Sequence, residues 1–282
     1  MEQKLKDLKD LKDLKLKAKQ IRKGVLNMVY VSKAGHIGGS LSSIDILTTL
    51  YYNVLNIDAK HIKNPDRDRF VLSKGHIAES LYYILGDKGF FDKEKLKTYS
   101  QYGSTLIGHP NSKNPGVEIN TGSLGHGLPV SVGMALAGKR DNKNYRVFTL
   151  MGDGEQAEGS VWEGAMSAAN YKLDNLVGII DRNGLQISGT TEEVMALDNL
   201  SDKWSSFGWE VVEVDGNNIE KLLKVLNNIP AKKGKPTMII ANTIKGKGIS
   251  FMENQVKWHH GVLTKEQYDQ AVIELEGADI NE

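Results

Sequence analysis

Asp153 stands between two glycines in Gly152-Asp153-Gly154, and Asn183 follows thirty residues later. The runs before them, Tyr145–Met151 and Leu176–Asp181, are apolar and β-branched, with a helix-like segment near Glu158–Tyr171 between. A β-α-β unit of this kind sets Asp153 and Asn183 side by side at the carboxyl ends of neighbouring strands, where open α/β sheets bind ligands. The chemistry is that of a magnesium diphosphate. Mg2+ takes six oxygens in near-octahedral array, and a carboxylate, an amide oxygen, a backbone carbonyl just beyond Asn183, two phosphate oxygens and a water make that set. Gly152 and Gly154 let backbone N–H groups approach phosphate, and the following helix N-terminus adds partial positive charge. The competing reading is an ordinary Gly-Asp-Gly turn and an unrelated asparagine.

Two further patterns surround this pair. Nine of the 43 residues from Gly122 to Gly164 are glycine, where average usage of ~7% gives about three. Backbone that must turn tightly or approach a ligand closely needs glycine. His36, His76, His109, His126 and His260 each have a glycine neighbour, His259 abuts His260, and His61, between Lys60 and Ile62, reads as a surface residue. A zinc site is disfavoured, because no His-x-x-Glu-His or His-x-x-x-His spacing occurs and cysteine is absent.

These residues need a frame, and the sequence supplies one. Trp209–Asp215 and Thr237–Thr243 read as further strands and Asn218–Asn228 as a helix, so strands and helices alternate through the second half of the chain. That alternation predicts an α/β fold, a doubly wound parallel sheet with helices on both faces. From Leu41, the apolar positions Ile44, Leu47, Tyr51 and Leu55 follow steps of three and four and predict a core-facing helix. Trp162, Trp204, Trp209 and Trp258 fit core or interface positions. Residues 1–24 carry nine Lys or Arg against four acids, with Leu5, Leu8, Leu11 and Leu14 every third residue. They read as a basic helical extension, and residues 25–282 as one domain. A surface helix is the plain reading of the extension, with a membrane-surface or partner-binding helix as its alternative.

Composition narrows the function classes. With 36 basic against 35 acidic residues, the net charge is +1, which gives no general reason to expect nucleic acid. The longest apolar runs are about five residues, far short of the ~18 that span a bilayer. The N-terminus has no apolar signal core, so the expected location is the cytoplasm. The absence of cysteine excludes disulfides and thiolate catalysis.

Asp153-Gly154 followed by Asn183 resembles the thiamine-diphosphate motif, and the chain from about Lys33 to Gly261 resembles transketolase, block after block in order. The blocks are Ala34-Gly35-His36, Ser73-Lys74-Gly75-His76, Gly108-His109-Pro110, Gly122-Ser123-Leu124-Gly125-His126-Gly127, Gly152-Asp153-Gly154-Glu155 with Glu158-Gly159, Asp181-Arg182-Asn183-Gly184-Leu185, Lys245-Gly246-Lys247-Gly248 and His260-Gly261. The resemblance implies a thiamine diphosphate-binding fold over residues 25–282. It implies Asp153, Asn183 and the Leu185 carbonyl as ligands of Mg2+, with Ca2+ or Mn2+ as substitutes. His76, Gly154, Asn183, Lys245 and His260 match cofactor contacts, and Gly122, Ser123 and Leu124 the strip against the cofactor rings. His36, His109 and His260 match histidines that handle substrate hydroxyls. Glu158 matches an interface glutamate of the catalytic set, and Glu163 a second acid there. Each assignment has a plain competitor: a solvated charge for Lys245, packed core residues for the histidines.

Four positions depart from the full-length pattern. His126 stands where many transketolases have glutamine, a change also seen in deoxyxylulose-phosphate synthases and split transketolases. Ile37 replaces a proline, and Gly38-Gly39 replace larger residues. The chain also stops about twenty residues after Gly261, before the family's pyrimidine-binding and C-terminal domains. The resemblance therefore implies the N-terminal subunit of a split transketolase, moving a two-carbon ketol unit from a ketose phosphate to an aldose phosphate. Its expected partner is a separate C-terminal subunit, in a two-plus-two heterotetramer. Alternatives are a deoxyxylulose-phosphate synthase-like chain, the α chain of a 2-oxoacid dehydrogenase, or a non-catalytic subunit that keeps the fold.

Overall fold

The computed structural model describes residues 2–197 and 199–278, with the side chains of residues 2–10, Leu5 and Leu8 among them, outside the description. Five strands form one parallel sheet in the order β1-β2-β3-β7-β6: β1 is Arg69–Leu72, β2 Val147–Gly152, β3 Leu176–Arg182, β6 Glu210–Asp215 and β7 Thr237–Asn242. A short antiparallel hairpin, β4 (Leu185–Gln186) and β5 (Gly189–Thr190), follows β3. Because successive residues of a strand face opposite sides, each central strand feeds two cores. Phe148, Leu150, Val177, Ile179, Ile239 and Ala241 enter one, and Val147, Met151, Leu176, Ile180, Met238 and Ile240 the other.

Helices cover both faces, as the alternation of elements predicts. On the first lie α1 (Glu2–Ser32), α2 (Ile37–Thr49), α8 (Ile219–Leu226) and α9 (Lys265–Gly277), with α3 (Ala78–Asp87) beside α1 and α2. On the second lie α4 (Gly127–Arg140), α5 (Gly159–Asn170) and α7 (Leu200–Ser206), while α6 (Thr191–Val194) is a single turn after the hairpin. The helix read from Leu41 onward is α2, and a π-helical turn, Leu50–Val54, closes it with Tyr51 buried. Trp204, Trp209 and Trp258 are buried and Trp162 stacks 5.1 Å from Trp204, so the tryptophans serve the cores.

The expected division at residue 24 is corrected. One helix runs unbroken from Glu2 to Ser32, and Leu14, Ala18 and Ile21 lie in the same core as Val25, Leu26 and Val29. The basic residues mislead because residues 1–24 hold as many lysines as apolar residues, eight of each, while burial follows only the stripe that faces α2 and α3. A second flank of α1 meets α9. Lys19 Nζ donates to the Glu276 and Ala278 carbonyls at 2.8 and 2.9 Å, Lys23 pairs with Glu276, Tyr268 donates to Asn27, and Tyr30 stacks on Tyr268 at 4.1 Å. No helix among the described residues is long and apolar enough to cross a membrane.

Candidate active site at the carboxyl edge of the sheet

Four neighbouring strands end at one place. β1 leads into Ser73-Lys74-Gly75-His76, β2 into Asp153, β3 into Asn183, and β7 into Thr243 and Lys245. The register sets Gly152 beside Asp181 and Arg182 beside Asn242, which brings the loops level. Asp153 Oδ1 accepts from the Gly154 amide at 2.7 Å and Oδ2 from the Gly184 amide at 2.6 Å. Asn183 Oδ1 accepts from the Leu185 amide at 3.1 Å, and the Leu185 carbonyl accepts from Lys245 Nζ at 3.2 Å. Asp153, Asn183, Leu185 and Lys245 are thus within one hydrogen-bonded cluster.

The histidines form the other half of the site. His36 lies with its ring centre 4.8 Å from His260, 5.2 Å from His76, 5.7 Å from His259 and 6.3 Å from His109. His259, given no role of its own by the sequence, stacks on His76 at 5.3 Å and sits 3.2 Å from Lys245 Nζ. His61 is exposed beside Asp58, as its sequence context indicates, and His126 is exposed and 3.3 Å from Ser123. The strip Gly122 to Leu124 lies against the cluster. Gly122 has φ +138°, and a Cβ there would sit 2.9 Å from His109 Cδ2. Glu158 is exposed at the start of α5, next to Ser160, whose hydroxyl donates to the Gly125 carbonyl.

Burial sets the electrostatics. It drives the His36 pKa down to about 4, with His260 and His109 adding to the effect, and His259 down to about 3, with Lys245 next in importance. His76 is held well below its ordinary value and His109 below, each chiefly by burial. Lys245 falls to about 8, first from burial and then from Lys74. Asp153 is pushed up by burial and by the Asp181 carboxylate. These imidazoles are therefore neutral at pH 7, each with one nitrogen to donate and one to accept.

A layer beneath carries groups to which sequence reasoning assigned no role. Asp181, fully buried, pairs with Lys74 and accepts from Ser42 at 2.6 Å, Ser43 at 2.9 Å and Thr243. Burial pushes its carboxyl up, but the Lys74 ammonium and the hydroxyl donors outweigh that and hold it below the usual range. Glu155 ties Gly125 and Gly152 together through their amides, at 2.8 and 3.0 Å. An acid closing an apolar strand, as Asp181 does after Ile180, is the signal that could have found this layer.

The floor has two weakly paired charges. Lys245 is 1% exposed, yet among the described residues its ammonium contacts a carbonyl and an imidazole and forms no ion pair with a carboxylate. Asp153 is 3% exposed, and its one ion pair among the described residues is a long one, 3.5 Å to Arg182, which is shared with Thr191 and Glu192. A buried ammonium short of an anion beside a buried carboxylate short of a cation fits an anion–metal pair. No cluster of three His, Cys, Asp or Glu suited to a metal occurs among the described residues, so any metal here relies on amide and carbonyl oxygens. Above this floor the rim is open: His109, His260, Gly122, Ser123 and Glu158 are all exposed.

Comparison with known proteins bears on the same edge. The family described as "Transketolase, thiamine diphosphate binding domain" matches residues 14–279. The chain is 52% identical over 92% of its length to an apulose-4-phosphate transketolase subunit of Phocaeicola vulgatus, covering 92% of that protein. It is 43% identical to the 6-deoxy-6-sulfo-D-fructose transketolase subunit SqwG of a Clostridium species, covering 94% of it. It is 38% identical to human transketolase, of which it spans 41%. Among solved structures, transketolase from Campylobacter jejuni superposes with a TM-score of 0.88 at 32% identity, over 97% of this chain and 44% of that one.

Proposed function

Because the chain belongs to the transketolase family through its thiamine diphosphate-binding domain, we propose that it is the N-terminal subunit of a two-subunit transketolase. It would act with a separate C-terminal subunit that carries the pyrimidine-binding domain, in a heterotetramer. Relatives of matching length are themselves named as transketolase subunits, whereas the full-length enzymes are more than twice as long. The reaction is transfer of a two-carbon ketol unit from a ketose phosphate or related ketose to an aldose. The relatives' names point to apulose-4-phosphate and 6-deoxy-6-sulfo-D-fructose, so the substrate is a branched or modified sugar as readily as one of pentose phosphate metabolism.

The observation that carries this reading is the pair of weakly paired charges on the site floor, the buried Lys245 ammonium without an ion pair among the described residues and the buried Asp153 carboxylate with a single long one to Arg182. Asp153, Asn183 and the Leu185 carbonyl would hold Mg2+, replaceable by Ca2+ or Mn2+. His76, Gly154, Asn183, Lys245 and His260 would hold the diphosphate, and Gly122, Ser123 and Leu124 would flank the rings. Thiamine diphosphate, when bound, supplies the carbon nucleophile and electron sink for breaking and making the bond next to a carbonyl. The chain's own work is binding, orientation and proton traffic. His36, His109 and His260 donate hydrogen bonds to the hydroxyls of donor and acceptor and take or return a proton there. His36, kept neutral by burial, can do either. Glu158 and Glu163 would line the interface with the partner.

The test is reconstitution. The isolated chain with Mg2+, thiamine diphosphate, a ketose phosphate and an aldose acceptor is expected to be inert, because its rim is open to water. Addition of the C-terminal subunit should start two-carbon transfer, and a panel of pentulose, apulose and sulfo-sugar donors then reads the specificity. Robust transfer by the isolated chain would overturn the split-subunit reading, and a reconstituted complex inert toward every donor would overturn the activity.

A further inference from the structure

Glu79 is fully buried in α3, among Ala78, Leu81 and Tyr82, and no cation forms an ion pair with it among the described residues. Its carboxylate is instead saturated by donors from two other segments. Oε1 accepts from the His36 backbone amide at 2.8 Å and from Ser40 Oγ at 2.7 Å, and Oε2 accepts from Tyr99 Oη at 3.0 Å. Burying an ionisable group is costly unless such bonds meet it, so the arrangement is a structural commitment. The first two donors belong to the start of α2. His36 is the N-cap residue of that helix, its own side chain makes no capping bond, and the first turn contains no acid. Burial pushes the Glu79 carboxyl above its ordinary range, so what it supplies from α3 is a hydrogen-bond acceptor for a helix start whose N–H groups have no partner within the helix, and it does so on the residue whose ring stands at the centre of the histidine cluster.

One turn along the same helix, Tyr82 does the equivalent for a second histidine. Its hydroxyl donates to the His109 carbonyl at 2.7 Å and accepts from the Asn111 amide at 3.0 Å. Residues three apart share a helix face, and His76 lies at the turn that opens α3. A single helix thus fixes His76 by connection, His36 through Glu79 and His109 through Tyr82.

We propose that Glu79 and Tyr82 are positioning residues of the substrate channel: Glu79 sets the backbone of His36, Tyr82 sets that of His109, and α3 thereby fixes the spacing of the two imidazoles. Neither residue touches the cofactor floor of Asp153, Asn183 and Lys245 in any hydrogen bond among the described residues. Misplacing a reacting group by about 1 Å can cost roughly 10²-fold in rate, and that loss is expected in turnover while cofactor affinity holds.

The inference rests on the transketolase reading, and its test has one arm that does not. In the assembled, cofactor-loaded enzyme, Glu79→Ala should lower kcat by ~10–10²-fold with cofactor affinity within about threefold of wild type, and Glu79→Gln, which keeps an acceptor toward His36 and Ser40, should recover most of it. Tyr82→Phe should act in the same direction through His109. The double variant His36→Ala/Glu79→Ala should be no slower than His36→Ala alone, since a positioning residue has nothing left to position. In the isolated chain, histidine ring NMR should show the His36 signals displaced in Glu79→Ala and the His109 signals in Tyr82→Phe, with those of His61 and His126 unmoved. Additive losses in the double variant, or unmoved His36 signals, would overturn the proposal. If Glu79→Ala does not fold, Tyr82→Phe, alone and combined with His109→Ala, carries the same comparisons through the His109 signals. Displaced rings in an enzyme without transfer activity would overturn the assigned reaction and leave the positioning intact.

Discussion

Asp153 is the single carboxylate proposed to hold a cation on the site floor, its long ion pair to Arg182 shared with Thr191 and Glu192. Asp153→Ala is expected to lower Mg2+-dependent thiamine diphosphate affinity in the assembled enzyme by orders of magnitude, Asn183→Ala less so, with both chains folded because the residues lie in loops. Calorimetry decides it, and near-normal affinity in both variants would return the pair to an ordinary turn. His36→Ala and His260→Ala should each cost ~10²–10⁴ in turnover, with His260→Ala also weakening cofactor binding. Unchanged steady-state kinetics would make them packed residues. The same imidazoles carry a pH signature. His36 is held at about 4 and His259 at about 3 against an ordinary 6.5, so below about 6.5 the unfolded chain takes up protons that the folded chain refuses. Stability should accordingly be full at pH 7 and fall toward pH 4, and the drop in urea midpoint between pH 7 and pH 5 should shrink in His36→Asn. An equal drop in both would sink this account. Of these residues, those in short motifs were legible from type and spacing. Glu79 was not, because no pattern announces a buried bond across 43 positions, and Asp181, marked only as an acid closing an apolar strand, gave no sign of its partners up to 138 positions away.

At the scale of elements, the strands with long apolar runs could be read directly, and their observed ends lie within two residues of the expected ones. β1 could not, since four residues give too little alternation to separate a strand from a loop. α1 was read with the wrong boundary for a different reason: charge density describes the solvent side of a helix and is silent about the other. Removing residues 1–24 would strip Leu14, Ala18 and Ile21 from the core. Such a truncation is expected to be insoluble or to unfold many degrees lower, and Ile21→Ala alone should cost ~2–5 kcal/mol by chemical denaturation. A truncated chain as stable as the whole would restore the extension. Gly38 and Gly39, which replace larger residues of the full-length pattern, have a packing reason. A Cβ on Gly38 would lie 2.6 Å from the Trp258 carbonyl oxygen, and one on Gly39 would lie 3.2 Å from Ile77 and 3.5 Å from His76. The start of α2 can lie this close to the Trp258 backbone only without a side chain at Gly38, while Gly39 spares Ile77 a small shift.

For the molecule as a whole, the functional edge is half floor and half open rim, and the outer faces of α4 and α5 beside it expose Val130 and Met166 near Glu163. Met166→Asp is expected to block assembly with the C-terminal subunit while leaving the chain's own melting temperature nearly unchanged, read by size-exclusion chromatography and thermal unfolding. Full assembly of that variant would place the partner elsewhere. The seam between α1 and α9 bears on a different matter, the order in which the chain is made. Synthesis at ~5–20 residues per second separates the end of α1 from the start of α9 by about 10–50 s. Through that interval the first helix waits for its last neighbour. The stripe left waiting is Lys19, Lys23, Asn27 and Tyr30, which is polar along most of its length and can stay hydrated. The apolar stripe belongs to α2 and α3, which emerge at once, so nascent chains on the ribosome present little grease for one another to find.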